Sequence, residues 1–284
     1  MKLLDGKTLG STIEEQIKQE IRELNQNFIY PTLAVILVGN DAPSASYVKM
    51  KSKACERVGI NSLIFGMPEN TSEEFLLQKI EELNKDLKVH GILVQLPLPQ
   101  HINTQKILET IDPQKDVDGF HPLNMGKLMV GLDGFIPATP LGVMQLLEAY
   151  HLSVRGKNCV VIGASNIVGK PLASLLLNAG ATVSVCHILT KDVSLFTKEA
   201  DFVFVAVGKI GLLTAEMIKE GAVIVDIGIN RTNEGAIVGD VEFDFVAPKC
   251  SFITPVPGGV GPMTIATLLQ NTLKSARNFA KDMK

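Results

Sequence analysis

The sequence predicts an α/β protein built from two parallel-sheet domains, and three observations predict it. Short apolar, β-rich runs alternate with amphipathic stretches along both halves of the 284-residue chain. The apolar runs end at glycine or proline, as buried parallel strands do. A loop-rich stretch over residues 112–132, with Pro113, Gly119, Pro122, Gly126 and Gly131, parts the two series. The length accommodates one large or two ordinary domains. Hydrophobic residues at 46% and charged residues at 20% suit a chain with a substantial core.

The elements follow in order. Residues 11–24 place Ile13, Ile17, Ile21 and Leu24 at helical spacing among charges. Residues 33–38, stopped by Gly39, read as a buried strand. A helix opens at residues 41–44 and runs to about Val58, with Gly59 as its C-cap. Residues 61–65 read as a strand. Residues 71–84 read as a helix, with Thr71 or Ser72 as N-cap and Glu73 and Glu74 in the first turn. Residues 91–96 form a strand ended by Pro97 and Pro99. Thr139 and Pro140 start a helix as N-cap and first helical residue, running to about Tyr150. Strands are expected at Asn158–Ile162, Thr182–Cys186, 202–207, 223–227 and 252–255, and helices at 168–179, 215–220 and 262–280. The expected boundaries are 1–120 for the first domain, 121–138 for a hinge and 139–261 for the second domain.

Composition removes several function classes. The net charge of −3, the absence of Trp and an aromatic content of 5% speak against a nucleic-acid partner. No apolar run approaches the roughly 20 residues that span a bilayer, so no membrane partner is expected. The first residues lack the apolar stretch of a secretory signal. Cys55, Cys159, Cys186 and Cys250 form no C-x-x-C pair, so four reduced thiols in a cytoplasmic protein are expected. His90, His101, His121, His151 and His187 are scattered, and no metal site is assigned. Neither H-E-x-x-H nor G-x-S-x-G is present.

Residues 159–170 read strand, glycine turn, helix start. Gly163 permits the tight turn, and the amides of a helix beginning near Gly169 would face a pyrophosphate. This marks the second domain as Rossmann-like and dinucleotide-binding, although a lone loop of this kind also suits an ordinary strand-to-helix turn. The spacing departs from G-x-G-x-x-G: Ser165 replaces the second glycine, and the third falls one place late at Gly169. Gly208 and Gly228 follow later strands at the ligand edge of such a sheet, and Ile229 continues past the nicotinamide end. Pro257, Gly258, Gly259, Val260 and Gly261 supply a wall poor in side chains, which lets a planar ring approach closely. After the second strand stand His187, Ile188, Leu189 and Thr190, with neither an acid for a ribose hydroxyl nor an arginine for a 2′-phosphate. Lys191 is the nearest cation, and it reads equally as a solvated surface lysine.

In the first half, Tyr47 and Lys51 lie four apart and share a helix face. Lys49, Lys51 and Lys53 alternate, so they cannot all face water; one turned into a cleft would have a lowered pKa and could move a proton. Gln95 interrupts the apolar run Val94, Gln95, Leu96, and it fits a backbone hydrogen bond as well as a site role. Lys115, Asp116, Asp118 and Gly119 lie near the proposed hinge, where either a ligand carboxylate or an Asp-Gly turn fits.

Together these segments resemble the bifunctional methylenetetrahydrofolate dehydrogenase/cyclohydrolase family. The resemblance rests on Ser46-Tyr47-Val48 with Lys51, residues 94–99 (VQLPLP), residues 115–119 (KDVDG), Gly163 with Ser165, Val168 and Gly169, Asp226 with Gly228, Ile229 and Asn230, and residues 255–264 (PVPGGVGPMT). It covers essentially the whole chain in the family's order. It implies that 5,10-methylenetetrahydrofolate is oxidised by a nicotinamide cofactor and the methenyl product is hydrolysed to 10-formyltetrahydrofolate. It implies Lys51 as catalytic group, Gln95 orienting it, Tyr47 packing on the folate and Asp118 holding the pterin edge, with Val94 and Leu96 beside them. Residues 257–261 would line the folate site. The cofactor residues implied are Gly163, Ala164, Ser165, Val168, Gly169, Ile188, Gly208, Gly228 and Ile229. The resemblance also implies a homodimer and a final helix, 262–284, packed on the first domain. NADP is the family's usual cofactor and NAD the alternative, because Ala164 and Ile188 stand where NADP-using members often carry Ser or Arg. Two rival readings are a dinucleotide-binding module of the same fold without catalysis and a folate enzyme with a single activity.

Overall fold

The computed structural model describes residues 1–232 and 234–282. In chain order it comprises β1 (Lys2–Leu3), α1 (Gly6–Gln26), β2 (Thr32–Val38), α2 (Ala42–Val58), β3 (Asn61–Met67), α3 (Glu73–Lys85), β4 (Gly91–Val94), α4 (Thr104–Thr110), α5 (Pro122–Met129) and α6 (Ala138–Ala149). Then follow β5 (Asn158–Ile162), α7 (Gly169–Asn178), β6 (Thr182–Cys186), α8 (Ser194–Thr197), β7 (Phe202–Val205), a 3-10 turn (Ala215–Met217), β8 (Val223–Asp226), β9 (Asn230–Arg231), β10 (Ile237–Val238), α9 (Phe243–Val246), β11 (Phe252–Ile253) and α10 (Val260–Asp282). The chain forms two compact units. One holds Ser11–Lys127, Asp133–Ala138 and the chain from Ile265 onward; the other holds Met1–Gly10, Leu128–Leu132 and Thr139–Thr264.

The first of these units is built on a parallel sheet of order β3-β2-β4. Central β2 is buried along almost its whole length, which is why its sequence is apolar without alternation. Asp41 caps α2 by accepting the Ser44 N–H at 2.9 Å, and Gly59 ends it at φ 90°, a left-handed conformation that favours glycine. Ser72 caps α3 by accepting the Phe75 N–H at 3.2 Å. Ile36, Leu76, Ile80, Ile92 and Ile107 pack into one apolar cluster, each contributing about 1.5–3 kcal/mol of burial. Residues 115–118 extend the sheet through a parallel bridge between Ile92 and Asp116. The final helix belongs to this unit from Ile265 on, as the family resemblance implies. Its Asn271 side chain donates to Val117 O at 2.8 Å and Ile136 O at 2.9 Å.

The other unit carries a six-stranded parallel sheet of order β1-β11-β8-β7-β5-β6. From β5 the chain passes to β6 on one side and then to β7 on the other, so a topological switch point lies between β5 and β7. Val160, Ile162, Val203, Val205 and Ile224 anchor its core.

Several sequence expectations need correction. The first helix starts at Gly6 rather than residue 11, because the Asp5 carboxylate accepts both the N–H and hydroxyl of Thr8. Residues 122–129 of the expected loop are helical: the Asp116 carboxylate takes the N–H groups of Phe120 and His121, and Pro122 suits a first turn. The helix expected at 215–220 shrinks to a 3-10 turn because Ile218 is extended, at φ −121° and ψ 155°. Strand β4 stops at Val94, and the helix near residue 140 begins at Ala138, leaving Thr139 inside it. Two-residue β1, the β9–β10 hairpin and the short helices α4, α8 and α9 were not expected; most are too short to show a period.

Candidate functional site

Helix α2 settles the lysine alternation. Lys49 and Lys53 are exposed, whereas Lys51 is half-buried. Its Nζ donates to Gln95 Oε1 at 3.1 Å. Gln95 sits just beyond β4 and keeps one more sheet bond, its N–H donating to Ile36 O at 2.9 Å. Its Nε2 donates to Leu96 O at 2.8 Å, so the carbonyl end of the amide must face the lysine. The Leu96–Pro97 peptide bond is cis, as is Val256–Pro257. Tyr47, half-buried, lies one helical turn before Lys51. Val94 is buried in the core cluster, and Leu96 is half-buried.

The KDVDG segment splits into structural and site residues. Lys115 is 1% exposed, and its Nζ donates to the carbonyls of Leu83, Asn84 and Asp86, at the C-terminal end of α3. Asp116 is also buried and accepts from Phe120 N, His121 N and Asn124 Nδ2. Asn124 also donates to Pro113 O, and its Oδ1 accepts from Phe135 N. Gly119 turns at φ 74°, with Ile136 and Pro137 backbone 2.6 Å from where a Cβ would stand. This frame leaves Asp118 half-buried and electrostatically coupled to Lys51. Burial pushes the Asp118 carboxyl above its ordinary range, the Lys51 charge draws it back, and Asp116 pushes it up again. The arrangement is an amine, an oriented amide and a carboxylate, suited to moving a proton and holding a cationic or amide-bearing ring edge.

In the other unit, the residues singled out for a dinucleotide stand after four adjacent strands: Gly163 after β5, Ile188 after β6, Gly208 after β7 and Gly228 after β8. Gly163 has φ 120°, and a Cβ there would lie 2.3 Å from Ala206 O. A Cβ at Gly169 would lie 2.0 Å from Gly163 O. Ser165 explains its place in the altered motif: its Oγ accepts from the amides of Val168 and Gly169 at 3.2 and 3.4 Å and caps the start of α7. Ala164 and Val168 are half-buried beside it. Ile188 is 98% exposed in a turn where His187 N donates to Thr190 Oγ1 and Leu189 N to His187 Nδ1.

Gly228 is buried because the Asp240 carboxyl lies 2.2 Å from its Cβ position. Asp226 accepts the amides of Gly228, Asp240 and Val241, and burial pushes its carboxyl up to about 6. Ile229 is exposed beyond it. Residues 257–261 form the turn into α10: Gly258 has φ 111° and its carbonyl accepts the Lys7 N–H, while Gly259 donates to Pro255 O. Pro257 is exposed, Gly258 and Gly261 are half-buried, and Gly259 and Val260 are buried. Sequence reasoning missed Asn124, Asn271 and Asp240, buried polar residues whose role depends on partners distant in sequence. Among the described residues no group of three or more His, Cys, Asp or Glu could hold a metal ion, and no helix is long and apolar enough to cross a membrane.

Two family models match. The catalytic domain of tetrahydrofolate dehydrogenase/cyclohydrolase matches residues 4–118, and its NAD(P)-binding domain matches residues 137–280. This chain belongs to the tetrahydrofolate dehydrogenase/cyclohydrolase family. It is 64% identical to the bifunctional protein FolD of Helicobacter hepaticus over 276 residues, covering 97% of this chain and 96% of that protein. The crystal structure of the bifunctional enzyme from Campylobacter jejuni superposes with a TM-score of 0.97 at 59% identity, covering 98% of this chain and 99% of that one. That of the Trypanosoma brucei enzyme, complexed with NADP cofactor and inhibitor, gives 0.95 at 35% identity, with 98% of each chain covered. The protein is a methylenetetrahydrofolate dehydrogenase and methenyltetrahydrofolate cyclohydrolase, with the catalytic and the NAD(P)-binding domain both present.

Proposed function

We propose that Lys51, Gln95, Asp118 and Tyr47 carry the folate chemistry and that NADP is the hydride acceptor. The Lys51–Gln95 hydrogen bond carries this reading, because it holds one amine of a lysine-rich helix at a fixed point. In the first reaction the methylene carbon of 5,10-methylenetetrahydrofolate loses hydride and the 5,10-methenyl cation remains. The two folate nitrogens flanking that carbon share its charge, so the protein's task is to position the donor. Tyr47 packs on the folate ring system and Asp118 accepts from its amino-pyrimidine edge. Val94 contributes through its backbone, and Leu96 borders the same place.

In the second reaction water adds to the methenyl carbon. The water loses a proton as it adds, leaving a neutral carbinol. That hydroxyl then loses its proton as the formyl C=O forms, the bond from the carbon to one ring nitrogen breaks and the nitrogen gains a proton. 10-Formyltetrahydrofolate is thus made with net release of one proton. Lys51 moves these protons, and Gln95 Oε1 fixes its amine through the 3.1 Å bond.

A dinucleotide fits the other unit by backbone shape. Gly163 and Gly169 leave no room for a Cβ, and the glycine turn before α7 stands at the switch point, where an open parallel sheet binds its ligand. NADP supplies the hydride-accepting ring when bound. Ala164, Ser165, Val168, Ile188, Gly208, Gly228 and Ile229 are the remaining residues proposed to contact it, whereas residues 257–261, poor in side chains, are proposed to line the folate site. The relative from Trypanosoma brucei, whose structure holds NADP, supports NADP as the cofactor. We further propose a cytoplasmic homodimer with domain boundaries at 1–120 and 139–261, joined by residues 121–138.

The test follows methenyltetrahydrofolate absorbance with methylenetetrahydrofolate and either nicotinamide at matched concentrations. The expected result is faster formation with NADP. No change with either cofactor would contradict the dehydrogenase reading, and equal or faster formation with NAD would contradict the cofactor assignment.

A further inference from the structure

After β7 the chain makes an exposed turn, residues 207–209, at the switch-point edge of the six-stranded sheet. Three successive amides of this turn point at one carboxylate. Val207 N and Gly208 N donate to Asp240 Oδ2 at 2.8 and 3.0 Å, and Lys209 N donates to Asp240 Oδ1 at 2.9 Å. Asn230 Nδ2, one residue beyond Ile229, adds a fourth donor to Oδ1 at 2.8 Å. Successive amides arranged in this way form a concave anion-binding nest. Here the anion is the protein's own: Asp240 is fully buried, lying beneath an exposed turn. Its main-chain N–H is in turn held by Asp226, which also holds Gly228. One carboxylate therefore ties together the loops that follow two neighbouring strands, β7 and β8.

We propose that Asp240 is a positioning residue for cofactor binding, filling the 207–209 nest and setting the backbone of Gly208 and Gly228 against the dinucleotide. The inference rests on the reading that these strand ends face NADP. Its energetic content is the number of donors served: without the carboxylate three amides at the site edge lose their acceptor and the turn relaxes toward water. Hydrolysis of methenyltetrahydrofolate needs no nicotinamide, so it reports separately on the folate chemistry.

The test uses the full-length protein and NADPH fluorescence, with hydrolysis of supplied methenyltetrahydrofolate measured in parallel. Asp240→Ala is expected to weaken NADPH binding at least about tenfold, the equivalent of one lost buried acceptor, while hydrolysis stays within about twofold. Added formate, carrying the missing acceptor oxygens, is expected to recover part of the affinity. Asp240→Asn, which keeps the shape and one acceptor oxygen, is expected to fall between wild type and Asp240→Ala and serves where the alanine variant does not fold. Wild-type affinity in Asp240→Ala would overturn the proposal. Parallel loss of binding and hydrolysis in both variants, unchanged by formate, would reduce Asp240 to a structural role and overturn it too. Failure of the wild type to bind NADPH would instead remove the underlying reading of the strand ends.

Discussion

In the unit built on β2, the candidate site is made of functional groups: the Lys51 amine and the Gln95 amide, hydrogen-bonded to each other, and the Asp118 carboxylate, which feels the Lys51 charge. In the unit built on β5, it is made of backbone, and the defining residues are those where a Cβ would collide, at Gly163, Gly169 and Gly228. The first has protons to move, and proton transfer needs a side chain at a fixed distance. The second has a large dinucleotide to seat, and close approach needs the absence of side chains where the backbone meets it. In both, buried polar residues support the working surface without joining it. Lys115, Asp116, Asn124 and Asn271 fix the segment bearing Asp118, while Asp226 and Asp240 fix the turns after β7 and β8.

That contrast can be broken most sharply at Lys51. Lys51→Met removes the proposed proton carrier, and hydrolysis of supplied methenyltetrahydrofolate is expected to fall about 10²- to 10⁴-fold. Unchanged hydrolysis would sink the assignment. Ala164→Asp places a negative charge beside the glycine turn. At roughly 5 Å and an effective dielectric near 20 the repulsion is about 3 kcal/mol, so NADPH affinity is expected to drop about 10²-fold. A drop of less than about threefold would mean that no pyrophosphate lies there.

The buried carboxylate of Asp226 gives a pH signature to the backbone-built site. Its value of about 6 exceeds the ordinary 3.8, so between those limits the folded state holds a proton that the unfolded state releases. Stability from this group is therefore greatest at low pH and is lost as pH rises through that window, by up to about 3 kcal/mol. The stability of wild type minus that of Asp226→Asn is expected to rise as pH falls from 7 to 4; a flat difference would contradict it. The smallest effect is expected at Ile188, whose side chain is almost wholly exposed after β6. Ile188→Arg adds a partner for a 2′-phosphate and is expected to raise the NADP-over-NAD ratio of kcat/KM about tenfold. No change would place that phosphate elsewhere.

Much of this molecule was legible in the sequence because its strands are continuous apolar runs and its helices carry clear caps, as with Thr32–Val38 and the Asp41 and Gly59 ends of α2. The glycine turn at Gly163 could be read locally, since strand, turn and helix are consecutive. The functional groups of the other unit were legible as candidates but not as a cluster. Lys51 and Gln95 are 44 residues apart, and periodicity does not say which of three alternating lysines turns inward. Asp116 and Asp118 each fitted a ligand carboxylate or a turn in sequence, yet Asp116 is buried holding the Phe120 and His121 amides, which leaves Asp118 as the site candidate. Asp240 gave no signal, because its partners are amides, and any residue except proline supplies an amide.

The most direct measurement takes Lys51→Met and Ala164→Asp side by side and records two quantities for each: the rate of methenyltetrahydrofolate hydrolysis and NADPH affinity. The expected result is a double dissociation, with Lys51→Met losing hydrolysis while binding NADPH like wild type, and Ala164→Asp losing affinity while hydrolysing normally. Loss of both quantities in both folded variants would contradict the assignment of proton chemistry to one unit and dinucleotide binding to the other.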